Sequence, residues 1–214
     1  MPLTGLLHGE KHHSISEKIG ASQTNLGRTM KTHVTKTPLE GLVVVDIDYF
    51  NDERGFFIEV WHKRDFAAAG LELDFVQEGH SRSAYKILRG LHYQDMTAPM
   101  GKLVRCTFGK VWDVAVDLRP SSATLGKWFS IELSADNKKQ VYVPPGFAHG
   151  FATLSDFAEL QYKQTGFYTP PSEGTLIWND ADVAITWPFS DPILSKRDQN
   201  GKTFKDYLTN PAFK

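Results

Sequence analysis

A single cysteine, Cys106, stands among 214 residues, so no disulfide can form within the chain. At 41% hydrophobic and 23% charged residues, a chain of this length can build an apolar core without covalent staples. The lone thiol also favours a reducing compartment, and a cytoplasmic protein is expected. No apolar run approaches about 18 residues, so no membrane-spanning helix is expected. Charge of one sign is not in excess either: 24 Lys and Arg against 25 Asp and Glu leave a net −1. Such a surface has no general attraction for nucleic acid or acidic membrane, and an anionic ligand must be met by local cations. No glycine-rich loop opens a helix, which excludes a P-loop and a dinucleotide fingerprint. A Gly-x-Ser-x-Gly elbow is missing too. The first 33 residues contain no aromatic side chain. With so little to bury they are expected to form a disordered or extended tail, with His8, His12 and His13 solvated rather than metal-bound. Met30 is an alternative start. The tail also lacks the cationic start and apolar core of a secretion signal.

What is present is mostly strand. Leu42–Tyr49 is Val-rich, Asn51–Gly55 is a polar turn, and Phe56–Val60 is again strand-like. Lys63–Ala69 carries helix formers and stops at Gly70, a suitable residue just past a helix end. Strand patterns follow at Lys102–Phe108, Val111–Leu118, Trp128–Leu133, Gln140–Val143, Phe147–Leu154, Phe157–Gln164 and Gly174–Trp178. Gly109-Lys110 is the signal for a two-residue hairpin, and Ser134–Lys139 is expected to hold a helical turn. Strands at this spacing with little helix predict an all-β fold, a mostly antiparallel β-sandwich of jelly-roll type. Residues 34–214 are read as one domain ending in a polar, partly helical segment.

The chemistry centres on Leu88-Arg89-Gly90-Leu91-His92-Tyr93-Gln94, which sets one imidazole in a strand. Alternation puts Leu88, Gly90, His92 and Gln94 on one face, and Gly90 leaves room for a close approach. His149 stands alone in Gly146-Phe147-Ala148-His149-Gly150, and neither imidazole has a second ligand at metal-binding spacing. Cys106, in an apolar strand away from cations, is expected to be inert. Acid–base chemistry remains, with His92, Tyr162, Lys102 and Asp198 as its candidates. Each also has a plain structural reading, and spacing alone does not bring the four together.

The stretches Asp52–Glu59, Leu88–Gln94, Gly101–Arg105, Val111–Arg119, Pro145–Phe151 and Glu173 through Trp178-Asn179-Asp180 occur in one order across Lys31–Asp198. In this the chain resembles the dTDP-4-dehydrorhamnose 3,5-epimerase family, a branch of the cupin jelly rolls. The resemblance implies that His92 is the general base, Asp198 its paired carboxylate, Tyr162 the acid on the other face of the sugar, and Lys102 the cation beside the ketone oxygen. It implies that Arg54, Glu59, Gln77, Arg89, His149, Glu173 and Arg197 bind the nucleotide sugar. It also implies no metal or other cofactor, and a homodimer whose exchanged N-terminal strands place Arg54 and Glu59 in the partner's site. The implied substrate is dTDP-4-keto-6-deoxy-D-glucose, inverted at C3 and C5 to dTDP-4-keto-L-rhamnose. The pattern departs at Glu78-Gly79, where the family usually has Asp-Asn, and at Arg197, where Lys is common.

That chemistry is physically coherent. A C4 ketone acidifies the hydrogens at C3 and C5, and an imidazole is the side chain suited to remove them near neutral pH. A fixed ammonium stabilises the enolate, and Arg forks match phosphate oxygens. Inversion needs a proton returned from the opposite face, which a phenol across the ring supplies. The alternatives are an epimerase acting at C3 or C5 only, a metal-dependent cupin using His92 and His149, and a sugar-nucleotide binding module without catalysis.

Overall fold

The computed structural model describes residues 30–213. His8, His12 and His13 lie outside the described residues. Thr32 and His33, placed in the tail by composition, begin the first strand, and Met30 packs beside it.

Thirteen strands dominate the described residues. In chain order they are β1 (Thr32–Lys36), β2 (Val43–Ile47), β3 (Phe50–Asp52), β4 (Gly55–Phe57), β5 (Gln77–Ala84), β6 (Leu88–Gln94), β7 (Lys102–Phe108), β8 (Lys110–Asp117), β9 (Trp128–Ser134), β10 (Gln140–Val143), β11 (Phe147–Thr153), β12 (Phe157–Gln164) and β13 (Glu173–Thr175). Three short helices, α1 (Lys63–Ala68), α2 (Lys196–Gln199) and α3 (Phe204–Thr209), complete the set with a 3-10 turn at Pro170–Ser172. One sheet has the order β1-β2-β10-β7-β12-β5 and the other β13-β6-β11-β8-β9, and every ladder within them is antiparallel. This is the cupin-type jelly roll that the strand pattern and the resemblance predict. No helix among the described residues is long and apolar enough to cross a membrane.

Burial explains why so much of the chain reads as apolar strand. Val104, Cys106, Val111, Ala115, Phe147, Phe151 and Leu160 meet between the sheets. Both outer faces are covered as well. α1 and its flanking loops lay Phe66, Trp61 and Phe75 over Val43, Val45 and Leu103. The C-terminal segment lays Leu176, Val183, Tyr207 and Phe213 over Val114, Val116 and Leu118. β8 is therefore buried on both faces, the usual source of a near-continuous hydrophobic run.

Several expected boundaries change. Gly109 does not close a hairpin: β7 and β8 belong to different sheets, and the glycine marks the crossing. It adopts φ +68°, and a Cβ there would stand 2.1 Å from the Phe157 carbonyl oxygen, so backbone contact excludes a side chain. The expected turn at Asn51–Gly55 tightens into the β3–β4 hairpin around Glu53 and Arg54. The expected strand at Phe56–Val60 stops at Phe57. The expected helical turn at Ser134–Lys139 is a non-helical turn in which Asn137 Oδ1 accepts from the Ser134 and Lys139 amides. The last strand ends at Thr175, well before Trp178.

Candidate active site

A cavity of about 380 Å³ opens between the sheets. Alternation along the strands decides what lines it. Gln77 and Gly79 of β5, Tyr162 and Gln164 of β12, and Lys102 of β7 point inward from the six-stranded sheet. They form registered rows: Gln164 lies opposite both Gln77 and Lys102, and Tyr162 lies opposite Gly79. The facing wall carries Arg89 and His92 of β6, His149 of β11 and Glu173 of β13.

The His92 imidazole places Nε2 2.5 Å from Asp198 Oδ1. Asp198 is 106 residues away in sequence and only 3% exposed. It arrives there because the C-terminal segment pairs back along β6: Leu88 N–H donates to Ile193 O at 3.1 Å, and Ile193 N–H to Lys86 O at 2.9 Å. Ser195 then caps α2 by accepting from the Asp198 amide. Burial raises the Asp198 carboxyl, but the hydrogen bond and charge of His92 leave it below the usual carboxylate range. Burial pushes His92 down; the Asp198 hydrogen bond pulls it up, and the Arg197 charge lowers it further. The pair is thus a carboxylate beside a neutral imidazole near pH 7. With Nε2–H donated to Asp198, the free lone pair of His92 is on Nδ1.

A second imidazole–carboxylate pair lies alongside. His149 is the Cα partner of His92 across β6–β11. Its Nε2 is 3.0 and 2.9 Å from the two oxygens of Asp113, which is 1% exposed. Asp113 was not singled out in sequence because it alternates with Trp112 and Val114, as a solvent-facing residue would. The missing signal is the C-terminal segment that covers the other side of β8. Each imidazole thus commits Nε2 to its own carboxylate. Among the described residues, the group that could hold a metal is Glu59, His62 and Asp65, which includes neither imidazole and does not line the cavity.

Lys102 and Tyr162 face His92 from the opposite wall, and neither has a side-chain hydrogen bond or ion pair among the described residues. Burial lowers the Lys102 pKa against the raising effect of Glu173. The Tyr162 ring lies flat on β5 because position 79 has no side chain: a Cβ at Gly79 would be 2.5 Å from Tyr162 Cε2. Nearer the solvent, Arg197 Nη1 donates to Glu173 Oε2 at 2.7 Å, and Tyr168 Oη donates to the same oxygen at 2.8 Å. Gln77 Oε1 accepts from the Tyr168 amide at 2.9 Å. Arg89 donates through Nε to Ser83 Oγ at 2.9 Å. Tyr168, which sequence reasoning did not select, completes this polar mouth.

Strict alternation would turn Arg89 away from His92. Both nonetheless line the cavity, because β6 is irregular at Gly90 (φ +132°) and its pairing with β11 shifts register there. The room at Gly90 is filled by protein: a Cβ there would be 2.5 Å from Gly150 Cα. Gln94 does not reach the cavity. Its amide donates to Ala98 O and Phe167 O and accepts from Thr169 N–H, fixing two loops. Arg54 and Glu59 are exposed and away from this cavity; Arg54 pairs with Asp52 in the β3–β4 hairpin. The Cys106 thiol is pushed up to about 11 by burial, in keeping with an inert core cysteine.

A jelly roll with a neutral imidazole on one wall of a polar cavity, and a phenol and an ammonium on the other, defines an acid–base enzyme of the cupin class. The family described as dTDP-4-dehydrorhamnose 3,5-epimerase matches residues 36–206. The chain is 49% identical over 174 residues to the dTDP-4-dehydrorhamnose 3,5-epimerase of Pseudomonas aeruginosa, covering 80% of this chain and 96% of that protein. Among solved structures, the enzyme of that name from Elizabethkingia anophelis aligns at TM-score 0.78 with 47% identity, over 82% of this chain and 97% of the other. A dTDP-6-deoxy-D-glucose-3,5-epimerase from Legionella pneumophila, in complex with dTDP-4-keto-L-rhamnose, aligns at 0.77 with 41% identity, over 83% and 94%. The chain belongs to the dTDP-4-dehydrorhamnose 3,5-epimerase family.

Proposed function

We infer that this chain inverts C3 and C5 of dTDP-4-keto-6-deoxy-D-glucose, yielding dTDP-4-keto-L-rhamnose, through side-chain acid–base chemistry. The observation that carries this reading is the disposition of acid–base groups: His92, held by Asp198, on one wall of the cavity, Tyr162 and Lys102 on the other. His92 Nδ1 takes the proton from the carbon beside the ketone while Nε2–H stays bonded to Asp198, which stabilises the imidazolium formed. The electrons pass to the ketone oxygen, where the Lys102 ammonium meets the developing charge; one such donor is worth about 3 kcal/mol. Tyr162 returns a proton to the opposite face of the carbon, inverting it. Once His92 has released its proton to solvent and Tyr162 has regained one, repetition at the second carbon completes the double inversion. His149, held by Asp113, hydrogen-bonds the sugar beside His92, and Gln77, Arg89, Glu173 and Arg197 hold the nucleotide part.

The working unit is a homodimer. The β3–β4 hairpin exposes Phe56 (55%) and Phe57 (63%) along β4, with Arg54 in its turn, and apolar side chains so placed suit burial against a second copy. Exchange of N-terminal strands between the two copies carries Arg54 and Glu59 into the second copy's site, which they complete. Mixing His92→Ala with Arg54→Ala chains tests this: shared sites regain activity on subunit exchange, and self-contained sites do not. The buried single thiol and the nucleotide-sugar substrate support a cytosolic setting.

Incubation with dTDP-4-keto-6-deoxyglucose in heavy water tests the reaction. Deuterium is expected at both C3 and C5. Incorporation at one carbon would define a single-centre epimerase, and none at either would overturn the reading.

A further inference from the structure

Gln164 is not explained by the roles above. It is 4% exposed, lines the cavity, and lies between Gln77 and Lys102 across the sheet, two residues from Tyr162 on the same face. Its Nε2 points at Met100 Sδ, 2.8 Å away, and its Oε1, closed off from solvent in the empty protein, has no partner among the described residues. A thioether is a weak acceptor, so Met100 repays little of the cost of burying the amide. Reversing the amide would set two acceptors, Oε1 and Sδ, against each other, so the free end is the oxygen. Such an orphaned acceptor destabilises the empty protein, and it is retained beside the ammonium and the phenol. An oxygen acceptor placed there calls for a donor on the ligand.

We propose that Gln164 is a specificity-determining residue whose Oε1 accepts a hydrogen bond from the sugar hydroxyl adjacent to the ketone, the C3 hydroxyl. This rests on the epimerase reading. With Lys102 at the ketone oxygen, its row neighbour across the β12–β7 ladder faces the next substituent of the ring. On the C5 side that substituent is a methyl group, which has no donor. On the C3 side it is a hydroxyl, which does. Gln164 thereby favours sugars oxygenated at C3 over 3-deoxy sugars and fixes which side of the ring lies toward β12.

The test compares dTDP-4-keto-6-deoxyglucose with its 3-deoxy counterpart, reading deuterium exchange at C5, a carbon both possess. In Gln164→Leu the ratio of kcat/KM for the 3-hydroxy over the 3-deoxy sugar is expected to fall about 10- to 100-fold against the wild type, the range for a lost buried hydrogen bond. Gln164→Met, an unbranched replacement, is expected to behave alike, with circular dichroism confirming the fold of both. A ratio within twofold of wild type in both variants would overturn the proposal, even if both lose activity overall. Should the wild type exchange no deuterium, the epimerase reading falls, and the same ratio taken from dissociation constants by calorimetry still decides Gln164.

Discussion

Asp117 and Asp198 are both nearly inaccessible carboxylates, 0% and 3% exposed, yet they are used in opposite ways. Asp117 is saturated. It accepts from Arg119 N–H and Nε–H, from Arg119 Nη2 at 2.7 Å, from Ser122 Oγ at 2.6 Å and from Thr124 Oγ1 at 2.7 Å, all within seven residues of its own position. Burial would raise its pKa, but those donors hold it at about 2. Every lone pair it has is spent on folding the loop after β8. Asp198 binds one imidazole from a distant strand, and the other nitrogen of that imidazole has no hydrogen-bond partner among the described residues. On the proposed epimerase reading, Asp117, which closes its own network, is structural, and Asp198, whose partner stays open at its other end, is chemical.

The comparison can be broken by substitution. His92→Ala is expected to abolish exchange at both carbons, a loss of about 10³-fold or more, while the protein still folds, at a lower melting temperature because Asp198 loses its partner. Near-normal turnover would remove His92 from its role. Asp117→Ala should do the reverse, costing about 3 kcal/mol of stability by leaving Arg119 without its buried partner, with kcat of the surviving fold nearly unchanged. Asp198→Asn sits between them: kcat falls about 10²-fold or more through loss of the tautomer and of imidazolium stabilisation, and denaturant midpoints move less than for Asp117→Ala. Equal midpoint shifts in the two Asp variants would erase the distinction.

pH separates the same two regions. His92 is active as the neutral base and its pKa lies below 6.5, so kcat/KM is expected to be flat at neutral pH and to drop at a pH below 6.5 as the imidazole is protonated. The Asp117 carboxyl is depressed from 3.8 to about 2, so its contribution to stability is present above 3.8 and is lost as pH falls toward about 2. Acid should therefore act on rate through His92 and on this loop through Asp117. Rate profiles and melting curves over one pH series check this, and a rate that does not fall in acid while the fold persists would contradict the role of His92. The smallest effect sharpens the site. Gly79→Ala pushes the Tyr162 ring off β5, since a Cβ there meets the ring at 2.5 Å. Epimer yield per exchange event is expected to fall several-fold while proton removal at His92 continues, and an unchanged yield would show that the phenol tolerates the shift.

Strand positions were largely legible because alternating or continuous apolar runs reflect burial on one or two faces. Gly109 misled because a glycine followed by a strand reads as a hairpin whether the next strand pairs in the same sheet or crosses to the other. Arg89 was placed in the site by family likeness against the strand period, and the irregularity at Gly90 reconciles the two. Asp113 and Gln164 were not legible. A buried acid beside a buried imidazole looks in sequence like an exposed one, and an amide without a partner looks like any strand glutamine.

Composition, strand period and ordered motifs by themselves determined that this is a two-sheet jelly roll and singled out His92 as its candidate base, because burial and local spacing leave a direct imprint on residue order. Only the tertiary structure decided which nitrogen of His92 is free, that Asp113 serves His149, and that Tyr162, Lys102 and Gln164 face His92 from the opposite wall. These facts depend on contacts between segments up to 106 residues apart, and no local pattern encodes such distances.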